Sequence, residues 1–305
     1  MNRHGIFSRP RGAADQSMPD ARGSFHGAAL ALALAFCFWS LTAFTAAWSQ
    51  TTTPASPGGP ASPGRTAGCQ KETLKIALDI GHDRTKPGAT SARGVPEFEY
   101  NLSLAQKAFQ ALQAAGFRGV FLIGESGGPM PLLRRTQIAR EQGAALFLSL
   151  HHDSAQKQYF SQWTVNGRSL PYSDTFHGYS VFISTSSPWA RDSLTLATHL
   201  ARGLKARGLT PTLHHEELVQ GENRTLLDRD LGIYRFDELA DLRTATMPAL
   251  LLESAVIVNR DEEQAIQSGQ YHPRVVAALV EALSRHCAAL TARRGPGESP
   301  ALSSR

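Results

Sequence analysis

Three segments of this chain are apolar along nearly their whole length and then end abruptly in ionisable side chains. KIALDI (75–80) runs into Gly81-His82-Asp83, ALFLSL (145–150) runs into His151-His152-Asp153, and PALLLES (248–254) carries its apolar run into Glu253. A strand with one wet face alternates polar and apolar residues. A strand that is apolar throughout is buried on both faces, as in a parallel sheet covered by helices. Sheets of that kind form their sites at the carboxyl ends of the strands, where side chains distant in sequence converge.

The segments between these runs read as helices and further strands. LSLAQKAFQALQAAG (102–116) places Leu102, Ala105, Phe109 and Leu112 at helical spacing and stops at Gly116. GVFLIG (119–124) is a second strand and PLLRRTQIAREQG (131–143) a helix closed by Gly143. After an irregular polar stretch, GYSVFIST (178–185) alternates as a strand. Ser187-Pro188 then supplies an N-cap and first position for a helix running through Leu194, Ala197, Leu200, Ala201 and Leu204 to Gly208. Asn259 with Glu262 forms a capping-box pattern for a short helix. Residues 273–287 make the last helix, with Val276, Leu279, Val280 and Leu283 facing in. The fold class expected is α/β: a single three-layer domain with a mostly parallel central sheet and helices on both faces.

The ends of the chain cannot belong to that core. In residues 1–49, Arg3, Arg9, Arg11 and Arg22 precede an uncharged apolar run, GAALALALAFCFWSLTAFTAAW (27–48). This is the layout of an export signal, and its length also suits an uncleaved membrane anchor through residues 28–48. Residues 50–68 are almost entirely Thr, Pro, Ala, Ser and Gly, a flexible tether, and residues 291–305 have the same character. The domain is therefore expected over 69–290, roughly 220 residues, enough for one large core. Exportation makes Cys69 and Cys287, at the two ends of that domain, a candidate disulfide; two unrelated thiols is the other reading. The net charge of +5 is modest and several of the positive charges lie in the terminal segments. With no basic stripe interleaved with aromatics, nucleic-acid binding is excluded as a class.

His82 and His151 offer two imidazole nitrogens, and a catalytic zinc takes three protein ligands plus water. The loop DRTKPGATSARGVPEFEYN (83–101) ends at a helix start with Glu97 and Glu99, either of which could fold back beside the first strand. A His-Glu-His set leaves the open coordination position that a hydrolase needs.

IALDIGH (76–82), GVPEFEYNL (94–102), LFLSLHHDS (146–154) and MPALLLESAVIVN (247–259), in that order, resemble the zinc-dependent N-acetylmuramoyl-L-alanine amidases of bacterial cell walls. The resemblance covers essentially the whole domain. It implies a zinc-exopeptidase-like fold, one Zn2+ ion, and hydrolysis of the amide between N-acetylmuramic acid and L-alanine in peptidoglycan. It implies His82, Glu97 and His151 as metal ligands, Glu97 being the acid four residues before the Asn101-Leu102 pair, and Glu99 a solvated neighbour. It implies Glu253, after Met-Pro, as the catalytic acid, although Ser254-Ala255-Val256 lacks the aromatic that members usually carry after it. Arg135 with Ala139 matches a recurring Arg-x-x-x-Ala, read as a structural ion pair. His152 stands where most members have a small residue. Adjacent strand side chains face opposite ways, so it either lines the cleft or packs.

Two segments remain. Residues 155–177 hold Tyr159, Phe160, Trp163, Tyr172, Phe176 and His177 with Asn-Gly and Leu-Pro turn signals, and read as a looped flap shaping the substrate groove. In some members of the family an insertion near here carries an inhibitory helix that an activator protein removes. Residues 211–231, with His214 and His215, read as a rim of the cleft, a second metal site there being the lesser alternative. The expected partners are peptidoglycan and an activator, and the expected location is the periplasm or cell envelope. Two other classes stay open: a zinc carboxypeptidase-type hydrolase acting on stem peptides, and a non-catalytic peptidoglycan-binding regulator.

Overall fold

The structure, a computed structural model, describes residues 69–293; the export-signal or anchor segment, the tether and residues 294–305 lie outside the described residues. None of the described helices is long and apolar enough to cross a membrane.

The chain runs β1 (Ile76–Ile80), α1 (Glu97–Ala114), β2 (Val120–Ile123), α2 (Leu132–Glu141), β3 (Leu146–Asp153), β4 (Ser161–Val165), β5 (Arg168–Tyr172), β6 (Ser180–Ile183) and α3 (Ala190–Ala206). It continues through β7 (Leu226–Asp228), β8 (Ile233–Arg235), α4 (Ala240–Thr244), β9 (Ala249–Val256), α5 (Arg260–Gln267) and α6 (His272–Arg293). Seven strands form one sheet in the order β2-β1-β3-β9-β6-β8-β7. β2, β1, β3 and β9 are mutually parallel, β6 is antiparallel to β9, β8 is parallel to β6, and β7 is antiparallel to β8. The expected mostly parallel sheet is present, with an antiparallel seam at β6.

Both faces are covered, which is why the strands are apolar throughout. Ile76, Leu78, Ile80, Leu148, Leu150, Leu250 and Leu252 pack with α1, α3 and α6. Ala77, Phe147, Leu251 and Phe182 pack on the other face with Ala139 of α2 and Leu242 of α4. From β1 the chain steps outward to β2 and returns to the far side of β1 as β3. The carboxyl ends of β1 and β3 therefore flank a topological switch point, the usual place for a crevice.

Some helical faces differ from expectation. α1 begins at Glu97, at the helix start read for Glu97 and Glu99 and ahead of the spacing counted from Leu102, and its buried stripe is Phe98, Asn101, Leu104, Ala105, Ala108 and Leu112. Leu102 and Phe109 are only partly buried. α3 starts at Ala190, two residues beyond Pro188; Leu194 stands outward at 40% exposure and Leu196 is in the core instead. α6 extends past residue 287, with Val275, Ala278 and Ala282 buried and Val280 at the margin. The Asn259 cap forms, its side chain accepting from the backbone N–H groups of Asp261 and Glu262. Glu262 does not close the box; it accepts from Val256 and Gly178 backbone N–H groups.

Cys69 and Cys287 form a disulfide across a sequence separation of 218 residues, joining the segment before β1 to α6. A bridge over so long a loop removes much of the freedom of the unfolded chain. Its reduction, or Cys287→Ser, is expected to lower stability by about 2–5 kcal/mol. Thermal melts with and without reductant test this. The wild type should melt lower in reductant and the Ser variant should not respond; equal melting of all samples would contradict it.

Candidate metal centre

The site is assembled from the turn after β1, the start of α1 and the last residues of β3. β1 is followed by Gly81, where a Cβ would lie 2.3 Å from His151 Nε2, so only glycine lets that ring approach. His82 follows with φ +66°, a left-handed conformation that a bulky residue adopts only under constraint. The constraint is Arg135 of α2. Its guanidinium donates to the carbonyls of Ile80 and His82 and pairs with buried Asp79 at 2.7 Å. Ser149 Oγ donates to the other Asp79 oxygen at 2.7 Å. The structural ion pair expected for Arg135 thus fixes the turn that presents His82.

The loop from Asp83 to Pro96 folds back because the first turn of α1 needs acceptors for its free N–H groups. Glu97 N–H donates to Ala89 O at 2.8 Å and Phe98 N–H to Pro87 O at 3.0 Å. Farther along the loop, fully buried Glu263 of α5 acts as an anchor. It accepts from Ser91 Oγ at 2.6 Å, Tyr100 Oη at 2.9 Å and Arg93 Nη1 at 2.9 Å. Nothing in the local sequence pointed to Glu263 as an anchor, since these three partners lie more than 160 residues away.

These constraints deliver the Glu97 carboxylate, buried, between two imidazoles. Glu97 Oε2 is 3.1 Å from His82 Nε2, and Oε1 is 3.1 Å from His151 Nδ1. The ligand atoms of the three residues lie within 4.8 Å of one another. The carboxylate also accepts from Ala89 N–H at 3.0 Å, Asn101 Nδ2 at 3.0 Å and His152 N–H at 3.3 Å. Burial alone would raise the Glu97 pKa, but the hydrogen bonds from His151 and His82, with their charge, draw it well below the usual carboxylate range. Burial opposes the charged form of His82, while its hydrogen bond to Glu97 and the charge of that carboxylate leave its pKa raised. Two nitrogens and a carboxylate oxygen meeting at one point is the donor set of a divalent-metal centre with an open position. Glu99 is exposed and 3.5 Å from Arg84, outside the cluster.

Glu253 stands beside His151 across the β3–β9 ladder. Its Oε2 is enclosed and has no hydrogen-bond partner among the described residues. Burial, then the nearby negative charges of Asp153 and Glu97, push its pKa well above the normal glutamate range. A carboxyl so placed is basic enough to take a proton near neutral pH.

His152 packs on the opposite face, away from the cluster. Its Nδ1 is 2.7 Å from Asn101 Oδ1 and its Nε2 3.1 Å from His272 Nε2. Residues 155–177 are not a simple loop. A 3-10 turn over Lys157–Tyr159 leads into the β4–β5 hairpin, whose Asn166-Gly167 turn has both residues at positive φ, as a two-residue hairpin requires. Trp163 Nε1 donates to Ala92 O at 2.8 Å, pinning the hairpin to the β1–α1 loop. In the 211–231 segment, His214 and His215 turn inward toward Asp153. Burial would lower the His215 pKa, but the charge of Asp153 and hydrogen bonds to Asp153 and Glu222 push it up to about 9.

A family model described as N-acetylmuramoyl-L-alanine amidase matches residues 76–285. The chain belongs to that family. AmiC of Neisseria meningitidis serogroup B is 24% identical over 242 residues, which are 72% of this chain and 54% of that protein. AmiA of Escherichia coli K12 is 23% identical over 233 residues, 68% of this chain and 73% of that protein. The chain thus spans about half the length of the first relative and more of the second. Among solved structures, the amidase Ami1 from Mycobacterium smegmatis has a TM-score of 0.55 at 17% identity, covering 72% of this chain and 99% of that one. The catalytic domain of CwlV from Bacillus (Paenibacillus) polymyxa has a TM-score of 0.53 at 22% identity, covering 70% and 98%. These two likenesses bear on the fold alone.

Gly88 tests the geometry of the centre. It has φ +78°, and a Cβ there would lie 2.3 Å from Glu97 Oε2 and 2.6 Å from His82 Cδ2. Gly88→Ala is expected to keep the far-UV circular dichroism of the wild type and to weaken divalent-metal binding by about tenfold or more, as a disturbed ligand support does. Metal affinity equal to wild type, measured by competition with a chelator, would contradict the placement.

Proposed function

We propose that this chain is a zinc-dependent amidase that cleaves the bond between the lactyl carbonyl of N-acetylmuramic acid and the amine of L-alanine in peptidoglycan. The observation that carries the reading is the meeting of His82, Glu97 and His151 beside an unpartnered Glu253, in a chain that belongs to the amidase family. His82, Glu97 and His151 would hold the ion. Zinc held there supplies a water of lowered pKa and a Lewis acid for the amide carbonyl.

The protein's own part follows from where its groups stand. Glu97 stays ionised and brings negative charge to the centre, while Asn101, Ala89 and His152 fix its orientation. Glu253, with Oε2 free of any protein donor, accepts the proton of the attacking water and hands it to the departing amine of L-alanine. An amine leaves readily only when protonated, so one carboxyl of raised pKa serves both transfers. The Trp163-bearing hairpin and the 211–231 segment border the groove proposed to receive glycan and stem peptide.

Location and partners belong to the same proposal. The apolar run at 27–48 supports export to the periplasm or envelope, held there by an anchor through residues 28–48 if it is retained. The Cys69–Cys287 disulfide fits an oxidising compartment. The CwlD amidase of Clostridioides difficile, of similar fold, has been solved in complex with the GerS lipoprotein, and a protein partner acting as activator is proposed here by analogy.

Purified sacculi digested with the zinc-loaded protein test the reaction. Intact stem peptides with a free L-alanine amine are expected; trimmed stem peptides would mean a carboxypeptidase, and an undigested wall a binder. Glu253→Gln is expected to retain zinc and to lose turnover by about 10²–10⁴-fold, the usual worth of a general acid–base group. Wild-type turnover in that variant would remove Glu253 from the mechanism.

A further inference from the structure

A second group of side chains of metal-ligating type stands beside the three ligands proposed above. Asp153 Oδ2, at the end of β3, is 2.9 Å from His215 Nε2 and 3.4 Å from His214 Nε2. The three ligand atoms lie within 4.8 Å of one another. Both histidines are buried in the 3-10 turn over His214–Glu216.

The way these rings are held is informative. Each imidazole has its outer nitrogen engaged: His215 Nδ1 is 2.8 Å from Glu222 Oε2, and His214 Nδ1 is 2.8 Å from Thr212 Oγ1. Phe176 stacks on His214 and Phe182 meets His215 edge-on, so neither ring can turn freely. Both Nε2 atoms are thereby aimed at one carboxylate oxygen. Metal-binding histidines are oriented in this manner, one nitrogen on the ion and the other on a carboxylate or hydroxyl.

A network of hydrogen bonds alone accounts for His215, which lies between two carboxylates. It does not account for His214. Its residue is 3% exposed, yet its Nε2 is fully enclosed, faces Asp153 and has no hydrogen-bond partner among the described residues. A buried nitrogen left without a partner is destabilising. A cation shared with Asp153 and His215 would give that nitrogen a ligand bond. The local charge suits one, since Asp153 and Glu222 both face the cluster and Arg229 is paired instead with Glu216 at the surface. Asp153 remains partly exposed, which leaves a path for entry.

We propose that Asp153, His214 and His215 form a second divalent-cation site, with Glu222 and Thr212 orienting the two rings. Two imidazoles and one carboxylate suit a first-row transition ion such as zinc. The ion replaces whatever proton His215 shares with Asp153 and leaves its bond to Glu222 in place. The amidase reading does not depend on this site.

Metal-stripped protein titrated with zinc chloride and assayed for bound metal after dialysis tests it. Two ions per chain are expected for the wild type, one for Glu97→Gln, one for His214→Ala, and none for the double variant. One ion in the wild type, or two retained in His214→Ala, would overturn the proposal. Anomalous scattering at the zinc edge, from wild-type crystals grown with excess zinc, needs no variant to fold. A peak within bonding distance of Asp153 Oδ2 and both Nε2 atoms is expected, and its absence overturns the site whatever the variants do. A failure of Glu97→Gln to lose an ion would instead count against the first centre.

Discussion

The burial of one carboxylate organises this protein. Glu97 opens α1, is nearly inaccessible, and lies between an imidazole from the end of β1 and another from the end of β3. A charged carboxylate is expensive to bury unless nearly every lone pair is engaged. Here three neutral donors and two histidine rings surround it. The arrangement joins three elements distant in sequence and sets the spacing of the groups proposed to bind the metal.

Much of the surrounding structure can be understood as support for that arrangement. Gly81 and Gly88 clear space that a Cβ would fill. Arg135, itself buried against Asp79, holds the carbonyl of His82 and with it a left-handed backbone. Removing one member of such a buried pair typically costs about 3–5 kcal/mol, because its partner's charge is left unmatched. Glu263 ties the β1–α1 loop to α5, so the loop that supplies Ala89 N–H cannot drift from Glu97. Stability and the proposed chemistry thus use the same bonds: positioning a carboxylate and two rings is achieved with the polar groups that close the sheet's carboxyl edge.

The strands and the histidines at their ends were legible in the sequence because apolar runs that stop at His82, His151 and Glu253 leave few other folds open. Choosing Glu97 over Glu99 needed the family motif; from the residues alone both stood at the helix start. The capping of α1 was not legible, because its N-cap is Pro96 and its first N–H groups are satisfied by loop carbonyls rather than by a Ser, Thr, Asp or Asn side chain. The β4–β5 hairpin was hidden because its strands are largely exposed and lack a continuous apolar face, leaving only the Asn166-Gly167 turn as a signal. His214 and His215 were visible as a pair, but their meeting with Asp153 comes from the lateral placement of β3 and the 3-10 turn, which no spacing rule encodes.

The most direct measurement compares two neighbouring acids. Hydrolysis of purified peptidoglycan, measured with zinc present, should be abolished or nearly so in Glu97→Gln and should match the wild type in Glu99→Gln, with both variants folded. Full activity in Glu97→Gln, or loss confined to Glu99→Gln, would show that the buried carboxylate between the two histidines is not what holds the catalytic centre together.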